Sequence, residues 1–581
     1  MTPFHCRLSL LAFLCLVHWV SCKAVQFELN LTWETHEVAG ATRKMILSNG
    51  QFPSPTLRLK QGDRVEFLVN NSMPFGATVH FHGIEQRGTP WSDGVPGLSQ
   101  RQIAPGDQYL YTWTATDYGA YIYHAHTRSQ IEDGLYGAIY IQPDDSVERP
   151  FHLIADDAEK LRAMHKAEME TDPIILSDWR HLTSEEIWQA QVASGIENFC
   201  ANAVLINGKG SVLCLPQDRI NELSTAAQRP LTDMGCLPPS DPRNISLTPN
   251  GFLRGCTPSQ GPTEIFEVES ASQYKSWDLI NIAGSLELAF SIDQHPFYVY
   301  AIDGHYIEPI HADAVTIPIG GRYSILVELD QPAGEYAIRA ANTGANQIIN
   351  GTGFMRYEAS TSNQRNLSQP SITETGSNAT ANTVFLDETS VVPFPVEVPS
   401  SDVDRTYILN VEHFGDSYHW TLGNHSFPQS NEEATPLLLN RSSIPTKYTI
   451  TTLNNTWVDL IINVTTGGQP PHPIHKHSNK YFVIGSGSGA FHHHSVAEAV
   501  KDMPESFNFH TPQMRDTFFT PPAGAGPSWL AIRYNVVNPG PFLLHCHIQP
   551  HLSGGMALAI LDGVDAWPDV PDGYELPSVA N

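Results

Sequence analysis

The 581-residue sequence predicts an all-β protein with three tandem domains. Short runs in which polar and apolar residues alternate, such as residues 64–69, are separated by Gly, Pro and Asn, which is typical of half-buried strands joined by turns. The length corresponds to three or four domains at roughly 150 residues each. An internal repeat favours three.

The repeat occurs once in each third of the chain. In the first third, a proline-containing turn and an aromatic strand lead to a glycine, and His124 follows that glycine by five residues. The last third has the same arrangement, which ends at His545. In the middle third the equivalent position is Arg339. We therefore expect three copies of one β-domain, of which the middle copy lacks metal ligands.

Composition shifts divide the chain further. Residues 1–24 contain an apolar run and small residues at its end, which predicts a secretory signal peptide. The three domains are expected at residues 25–143, 150–357 and 400–581, each a Greek-key β-sandwich. Residues 358–399 are rich in Ser, Thr, Asn and Pro, and we interpret them as an exposed connector.

The remaining composition indicates a secreted, soluble protein. The net charge of −28 argues against nucleic acid and anionic membranes, both of which require basic surfaces, and no later run is long and apolar enough to span a bilayer. We expect a monomer. N-glycosylation is expected from ten Asn-x-Ser/Thr sequons, at Asn30, Asn70, Asn244, Asn350, Asn366, Asn378, Asn424, Asn440, Asn454 and Asn463.

Apart from Cys546, the cysteines beyond the signal segment form an even set of four, which predicts two disulfides in an oxidising compartment: Cys200, Cys214, Cys236 and Cys256. Three pairings are possible. Sequence proximity favours Cys200–Cys214 and Cys236–Cys256.

Four His-x-His pairs carry the strongest chemical signal. Because alternate side chains of a strand share a face, both rings of each pair should point the same way. Eight imidazoles of this kind can hold about three copper ions at two or three ligands each. The pairs are His80 and His82, His124 and His126, His475 and His477, and His545 and His547.

Cys546 lies between the two histidines of the last pair, and its thiol should face the opposite side of the strand. His551 follows it by five residues and Met556 by ten, while His472 precedes the third pair. Two His, one Cys and a distant Met form the ligand set of a blue-copper electron-transfer site. One short segment can therefore serve two metal centres.

The four motifs together resemble those of the multicopper oxidases, and among them the laccases. They are HFHG at 80–83, YHAHTRSQIEDGLYG at 123–137, HPIHKH at 472–477 and HCHIQPHLSGGM at 545–556. The segment at 199–210 and the sequence HPIHKHSNK at 472–480 are most similar to the corresponding segments of fungal laccases of pigment and secondary-metabolite pathways. The resemblance implies cupredoxin-like domains, four copper ions per chain, and a reaction in which O₂ oxidises small phenolic or polyketide substrates.

The resemblance also implies a division of the ligands. His80 and His475 would bind the type 2 copper. His82, His124 and His547 would bind one type 3 copper, and His126, His477 and His545 the other. His472, Cys546 and His551 would bind the type 1 copper, with Met556 at its axial position.

Acidic residues near the copper sites are implied in the same way. Asp93 stands where relatives keep an acid beside the three-copper cluster, which suggests a proton relay. Gln549 replaces the acid that many relatives carry after the HCHI motif. Asn202 stands where many laccases have the carboxylate that receives the phenol proton near His472, and Asp178 or Glu197 could substitute for it.

The sequence therefore predicts a secreted laccase with catalytic roles for Asp93, Cys546 and His472. The alternatives are a ferroxidase of metal uptake and a non-enzymatic copper-binding glycoprotein. Because Asn202 stands where many laccases have a carboxylate, we expect a preference for fused polyphenols, such as polyhydroxylated naphthols, over monophenols.

Overall fold

A computed structural model of the chain describes residues 24–226, 228, 230–241, 243–358 and 369–574. The expected signal peptide lies outside these residues except for Ala24, as does part of the expected connector. The all-β prediction is confirmed: in the described residues, strands are paired into six sheets and the α-helices are few and short. No helix in those ranges combines the length and the apolar character needed to cross a membrane.

The first pair of sheets is formed by eight strands, β1 to β8, in the orders β2-β1-β4-β6 and β3-β8-β7-β5. Their inward residues form one shared apolar core that includes Phe67, Tyr111 and Tyr123. The strands are β1 Ala24–Val38, β2 Ala41–Ser48, β3 Leu57–Lys60, β4 Arg64–Asn71, β5 Val79–His82, β6 Gln108–Thr114, β7 Gly119–Ala125 and β8 Tyr136–Gln142.

The second pair of sheets has the orders β10-β9-β12-β17-β14-β15 and β11-β19-β18-β13-β16 and encloses the largest core. The strands are β9 Asp172–Trp179, β10 Ala203–Ile206, β11 Ile265–Val268, β12 Tyr274–Asn281, β13 Leu288–Ile292, β14 Phe297–Ile302, β15 His305–Ala312, β16 Ala314–Ile317, β17 Arg322–Glu328, β18 Glu335–Asn342 and β19 Asn350–Tyr357. The helices of this part are α1 Ala158–Met169, α2 Ser184–Ser194 and α3 Gln217–Leu223.

The third pair has the orders β21-β20-β23-β28-β25-β26 and β22-β30-β29-β24-β27, and Cys546 and Met556 lie in its core. The strands are β20 Arg405–His413, β21 Trp420–Leu422, β22 Thr449–Thr451, β23 Trp457–Val464, β24 Pro473–Lys476, β25 Tyr481–Ser488, β26 Gln513–Arg515, β27 Thr517–Phe519, β28 Ser528–Asn535, β29 Gly540–Cys546 and β30 Ala557–Asp562. Its helices are α4 Val496–Asp502 and α5 Gln549–Ser553.

Short 3₁₀-helices occupy several connections, and two of them position residues near the histidines. Asp93 caps the C-terminal end of Pro90–Ser92. The 3₁₀-helix Gln429–Glu433 packs against the loop of the first sandwich, where a Cβ at Gly97 would lie 1.9 Å from the Asn431 carbonyl oxygen. The others are Gln130–Asp133, Pro150–Leu153, Ile245–Leu247, Ser270–Ser272, Glu388–Ser390, Thr446–Tyr448, Pro504–Ser506 and Asp572–Tyr574.

The disulfide pairing favoured by sequence proximity is wrong. The structure joins Cys200 to Cys236 and Cys214 to Cys256, at Cα separations of 6.2 and 5.8 Å. The reason is the hydrogen bonding around the second sandwich. The Gln347 side chain accepts from the Ala201 amide and donates to the Met234 carbonyl, which brings the first pair together. A backbone bridge between residues 212 and 259 brings the second pair together.

Candidate metal centres

The His-x-His pairs lie directly opposite one another in two sheets. In the first sandwich β5 pairs with β7, which sets His80 opposite His124. In the third sandwich β24 pairs with β29, which sets His475 opposite His545. Each pair of adjacent strands therefore projects four imidazoles from one end of its sheet, since the second histidine of each motif lies two residues further along.

The two sets meet between the first and third sandwiches. The rings of His82 and His475 stack with centroids 3.7 Å apart, and those of His80 and His477 with centroids 3.8 Å apart. All eight imidazoles are buried. We call this cluster the eight-histidine seam: His80, His82, His124, His126, His475, His477, His545 and His547.

Ring nitrogens within the seam converge at metal-binding spacing. His80 Nε2 lies 3.5 Å from His475 Nε2, and His477 Nε2 lies 3.3 Å from His545 Nε2. Potential ligand atoms lie within 4.8 Å of one another in three groups: His80, His82 and His124; His80, His475 and His477; and His126, His477 and His545. The rings of His82 and His124 lie 5.0 and 5.4 Å from that of His547.

Several nitrogens of the seam are buried without a hydrogen-bond partner, among the described residues: Nδ1 of His82, Nε2 of His124, Nε2 of His126 and both ring nitrogens of His547. A buried polar atom that lacks a partner is costly, and bound metal would satisfy one nitrogen of each of these rings. Burial and the neighbouring rings also hold the pKa of His82, His126, His475, His477 and His547 well below its usual range. Neutral imidazoles are the form that binds metal. The donors present therefore fit copper.

Two aspartates contact the seam from behind. Asp93 Oδ2 accepts from His477 Nδ1 at 3.0 Å, and the Asp93 carbonyl contacts His80 Nδ1 at 2.6 Å. Asp516 approaches His82 Nε2 at 3.4 Å, and its carbonyl contacts His475 Nδ1 at 2.9 Å. Such contacts fix the orientation of a ligand ring and the nitrogen left free for metal.

The second sandwich also supports the seam, although it supplies none of the eight histidines. Arg322 binds both carboxylate oxygens of Asp516, at 2.5 and 2.6 Å. Gly320 lies against the seam, where a Cβ would come within 3.0 Å of His82 and 3.1 Å of His547. A side chain is excluded from the glycine of the HFHG motif in a similar way, because a Cβ at Gly83 would lie 2.6 Å from the Arg322 guanidinium.

Cys546 lies on the other face of β29, as the strand alternation predicts. Its Sγ is 3.8 Å from His472 Nδ1 and 3.5 Å from His551 Nδ1, and those two nitrogens are 3.2 Å apart. Met556 is fully buried in the same core, and its carbonyl accepts from the Cys546 amide. Burial raises the pKa of the Cys546 thiol well above its usual range, so its ionisation requires a bound metal ion.

Glu197 is the carboxylate next to this second site. Its Oε1 lies 3.3 Å from His551 Nε2 and accepts from the Trp420 indole at 3.1 Å. Asn202, in contrast, accepts from the His181 amide and lines a cavity within the second sandwich. Among the described residues, Glu197 rather than Asn202 is the side chain that contacts His551, so the placement of Asn202 beside the candidate copper ligands is not supported. Asp178 is likewise engaged elsewhere, with Arg180 and the amides of residues 284 and 285.

Family models described as multicopper oxidase match residues 30–146, 170–360 and 410–566, one in each sandwich. The chain is 44% identical over 564 residues to laccase abr2 of Aspergillus fumigatus, which spans 94% of this chain and 95% of that protein. The chain belongs to the multicopper oxidase family.

Other comparisons with multicopper oxidases agree. The chain is 39% identical to multicopper oxidase CTB12 of Cercospora beticola, over 96% of this chain and 92% of that protein. The crystal structure of the laccase from Botrytis aclada superposes with a TM-score of 0.72 at 26% identity, and covers 94% of this chain and 89% of that one. This multicopper oxidase is therefore a copper-binding enzyme of the laccase type with cupredoxin-like domains, as the sequence predicts.

Sequence reasoning missed the supports of the seam. Asp516 and Arg322 have no motif of their own, and Asp516 becomes significant only when β24 and β27 pair in the third sandwich. The only indication for Arg322 in the sequence is a weak one: it directly follows the Gly-Gly turn of the middle repeat.

Proposed function

We propose that the seam and the Cys546 site hold four copper ions. His80 and His475 bind the type 2 ion; His82, His124 and His547 bind one type 3 ion and His126, His477 and His545 the other. His472, Cys546 and His551 bind the type 1 ion, with Met556 axial. The group of His126, His477 and His545 and the thiol beside two imidazoles support two parts of this division. The division of the other seam histidines follows the sequence resemblance.

The reaction that fits this arrangement couples four one-electron oxidations to one four-electron reduction. Four phenols and one O₂ give four phenoxyl radicals and two waters, which balances four electrons and four protons. When bound, copper supplies the redox states that accept electrons singly and deliver them to O₂. The position of Cys546 is the observation that most supports this coupling. The residues on both sides of it belong to the seam, and its thiol belongs to the other site.

The proposed substrate position is next to His551. Its Nδ1 faces the thiol, while its Nε2 faces Glu197. A phenol hydroxyl placed beside Nε2 and the Glu197 carboxyl group would have a hydrogen-bond acceptor for its proton and an imidazole path to Cys546. With this carboxylate present, simple phenols as well as naphthols are expected substrates. The fused phenols and polyketide products of pigment or secondary-metabolite biosynthesis remain the proposed natural class, on the strength of the sequence resemblance.

We further propose that the protein is secreted, monomeric and N-glycosylated. In the part of the chain that the structure describes, asparagines of five sequons are exposed and could carry glycans: Asn30, Asn244, Asn378, Asn424 and Asn440. Asn463, also within a sequon, is buried and should remain unmodified.

Parallel assays of purified, copper-loaded protein with monophenols, naphthols and Fe(II) test the proposal. We expect O₂ uptake with both phenol classes at one O₂ per four radicals formed. Oxidation of Fe(II) with little turnover of either phenol class would favour a ferroxidase instead. Four bound coppers without turnover of any donor would indicate a copper-binding glycoprotein.

A further inference from the structure

A small cavity lies directly against the seam. Its volume is about 50 Å³, and its walls include His124, His126, His545 and Gln549. A buried water requires roughly 10–15 Å³ measured in this way, so the cavity has room for about three waters. O₂ reduction consumes four protons and forms two waters. Waters in a cavity at this position would be placed to carry protons to the seam.

Glu432 is the one carboxylate among the described residues that line this cavity. It lies on the 3₁₀-helix Gln429–Glu433 of the third sandwich, and its Oε2 accepts from the Arg128 amide of the first sandwich at 3.5 Å. Gln549, on the same wall, cannot ionise. The cavity therefore has one side chain able to exchange a proton at moderate pH without being part of the seam.

The same carboxylate also lines a larger pocket on the outer side. That pocket has a volume of about 600 Å³ and shares Thr127, Arg128, Gln429 and Glu432 with the inner cavity. Glu432 thus lies in the wall between a solvent-connected space and the space against the seam. This is the position that a proton carrier between the two would have to occupy.

We propose that Glu432 is a proton-relay group of this enzyme, which takes protons from the outer pocket and passes them through waters of the inner cavity to reduced O₂ at the seam. The inference rests on the proposed function. In each cycle four phenols lose four electrons and four protons, O₂ gains the electrons through the two sites, and four protons return to the seam to form two waters. Glu432 is regenerated each time by a proton from the outer pocket.

The charges around Glu432 suit this role. Burial raises its pKa to about 7, an effect that the Arg128 amide and guanidinium oppose and that Glu433 reinforces. Arg128 is itself paired with Glu185 and bound to Gln429, so its positive charge is partly neutralised. Asp133 is the remaining acid on the outer pocket, and it is paired with Arg43. A group with a pKa near the working pH donates and recovers protons efficiently.

The first test measures reoxidation of the fully reduced, copper-loaded enzyme by O₂ in Glu432→Gln, with Glu433→Gln as the matched control. Glu433 is the exposed neighbour in the outer pocket and does not line the inner cavity. We expect Glu432→Gln to slow reoxidation by about 10²-fold, at the low end of general-acid contributions, while reduction of the blue site by phenol is unchanged. Wild type and Glu433→Gln should slow as pH rises through about 7, where Glu432 loses its proton, whereas Glu432→Gln should lack this dependence.

The second test uses copper-free protein and infrared difference spectroscopy. Wild type should show a protonated-carboxyl band that disappears as pH rises through about 7, that is absent in Glu432→Gln and that is retained in Glu433→Gln. An unchanged reoxidation rate and pH profile in Glu432→Gln would overturn the relay, as would the absence of a Glu432-specific band below pH 7. If wild type oxidises no phenol, the proposed function fails, and the infrared result still decides whether Glu432 carries a proton.

Discussion

The imidazoles of the seam are oriented by groups that never need to touch a metal ion. Asp93 holds His477 through Nδ1, which leaves Nε2 directed towards His545. The same carboxylate lies 3.4 Å from His80 Nδ1, so one acid contacts rings of two motifs. The proton-relay role expected from the sequence stays a prediction, and the structure adds a positioning role for the same carboxylate.

Asp93→Asn should slow oxygen reduction by roughly 10- to 100-fold, the usual loss when a partner behind a metal-binding histidine is changed. The amide keeps the shape and an acceptor oxygen but removes the charge. Stopped-flow reoxidation of reduced enzyme measures the effect, and the blue absorbance should be unaffected because Asp93 contacts only seam histidines among the proposed ligands. Unchanged reoxidation at all pH values would contradict both roles.

Glu197 and Asn202 give a matched pair of substitutions at the substrate side. Glu197→Gln should lower kcat/KM for monophenols by about 10²-fold, at the low end of general-base contributions, since an amide can accept a hydrogen bond but cannot take the phenol proton. Asn202→Asp should leave the monophenol rate unchanged, because Asn202 contacts His181 instead. Steady-state kinetics with a monophenol and a naphthol measure both. A gain in the Asn202→Asp variant would restore the sequence-based interpretation and contradict the placement of Glu197.

The strand is the element that separates the two chemistries. Alternation along β29 directs His545 to the seam and Cys546 to the opposite face, and pairing with β24 sets Ile474 opposite Cys546 and His475 opposite His545. This much followed from the sequence, because period-two alternation depends only on strand geometry. The supports could not be predicted in this way: Asp516 and Arg322 are 194 residues apart and meet only through packing of separate sandwiches.

His126→Ala tests this separation. His126 follows β7 and belongs to a pair without cysteine, and its ring lies 5.3 Å from that of His545 and 4.9 Å from that of His477. The variant should lose O₂ reduction while the blue site still accepts one electron from a phenol. Anaerobic bleaching of the blue absorbance, followed by exposure to air, separates the two steps. Loss of the blue colour in a folded His126→Ala protein would show that the sites are not independent.

At the scale of the whole molecule, the third sandwich alone supplies His472, Cys546 and His551, whereas no single sandwich could form the seam. The first and third sandwiches supply the histidines, and the second holds their supports through Arg322 and Gly320. The internal repeat predicted the three sandwiches, and the matched spacing predicted which two carry ligands. The contacts between the sandwiches were beyond prediction, as was the disulfide pairing, because both depend on residues brought together from distant parts of the chain.

The most direct test of the central claim is the copper content and visible spectrum of purified wild type beside Cys546→Ser. We predict about four coppers per chain and a blue band in wild type, since four groups of ligands follow from the proposed division. Cys546→Ser should keep about three coppers and lose the blue band, because the seam contains no thiolate and a hydroxyl cannot replace one. A blue band that survives in Cys546→Ser, or a wild type that binds only one copper, would contradict the account.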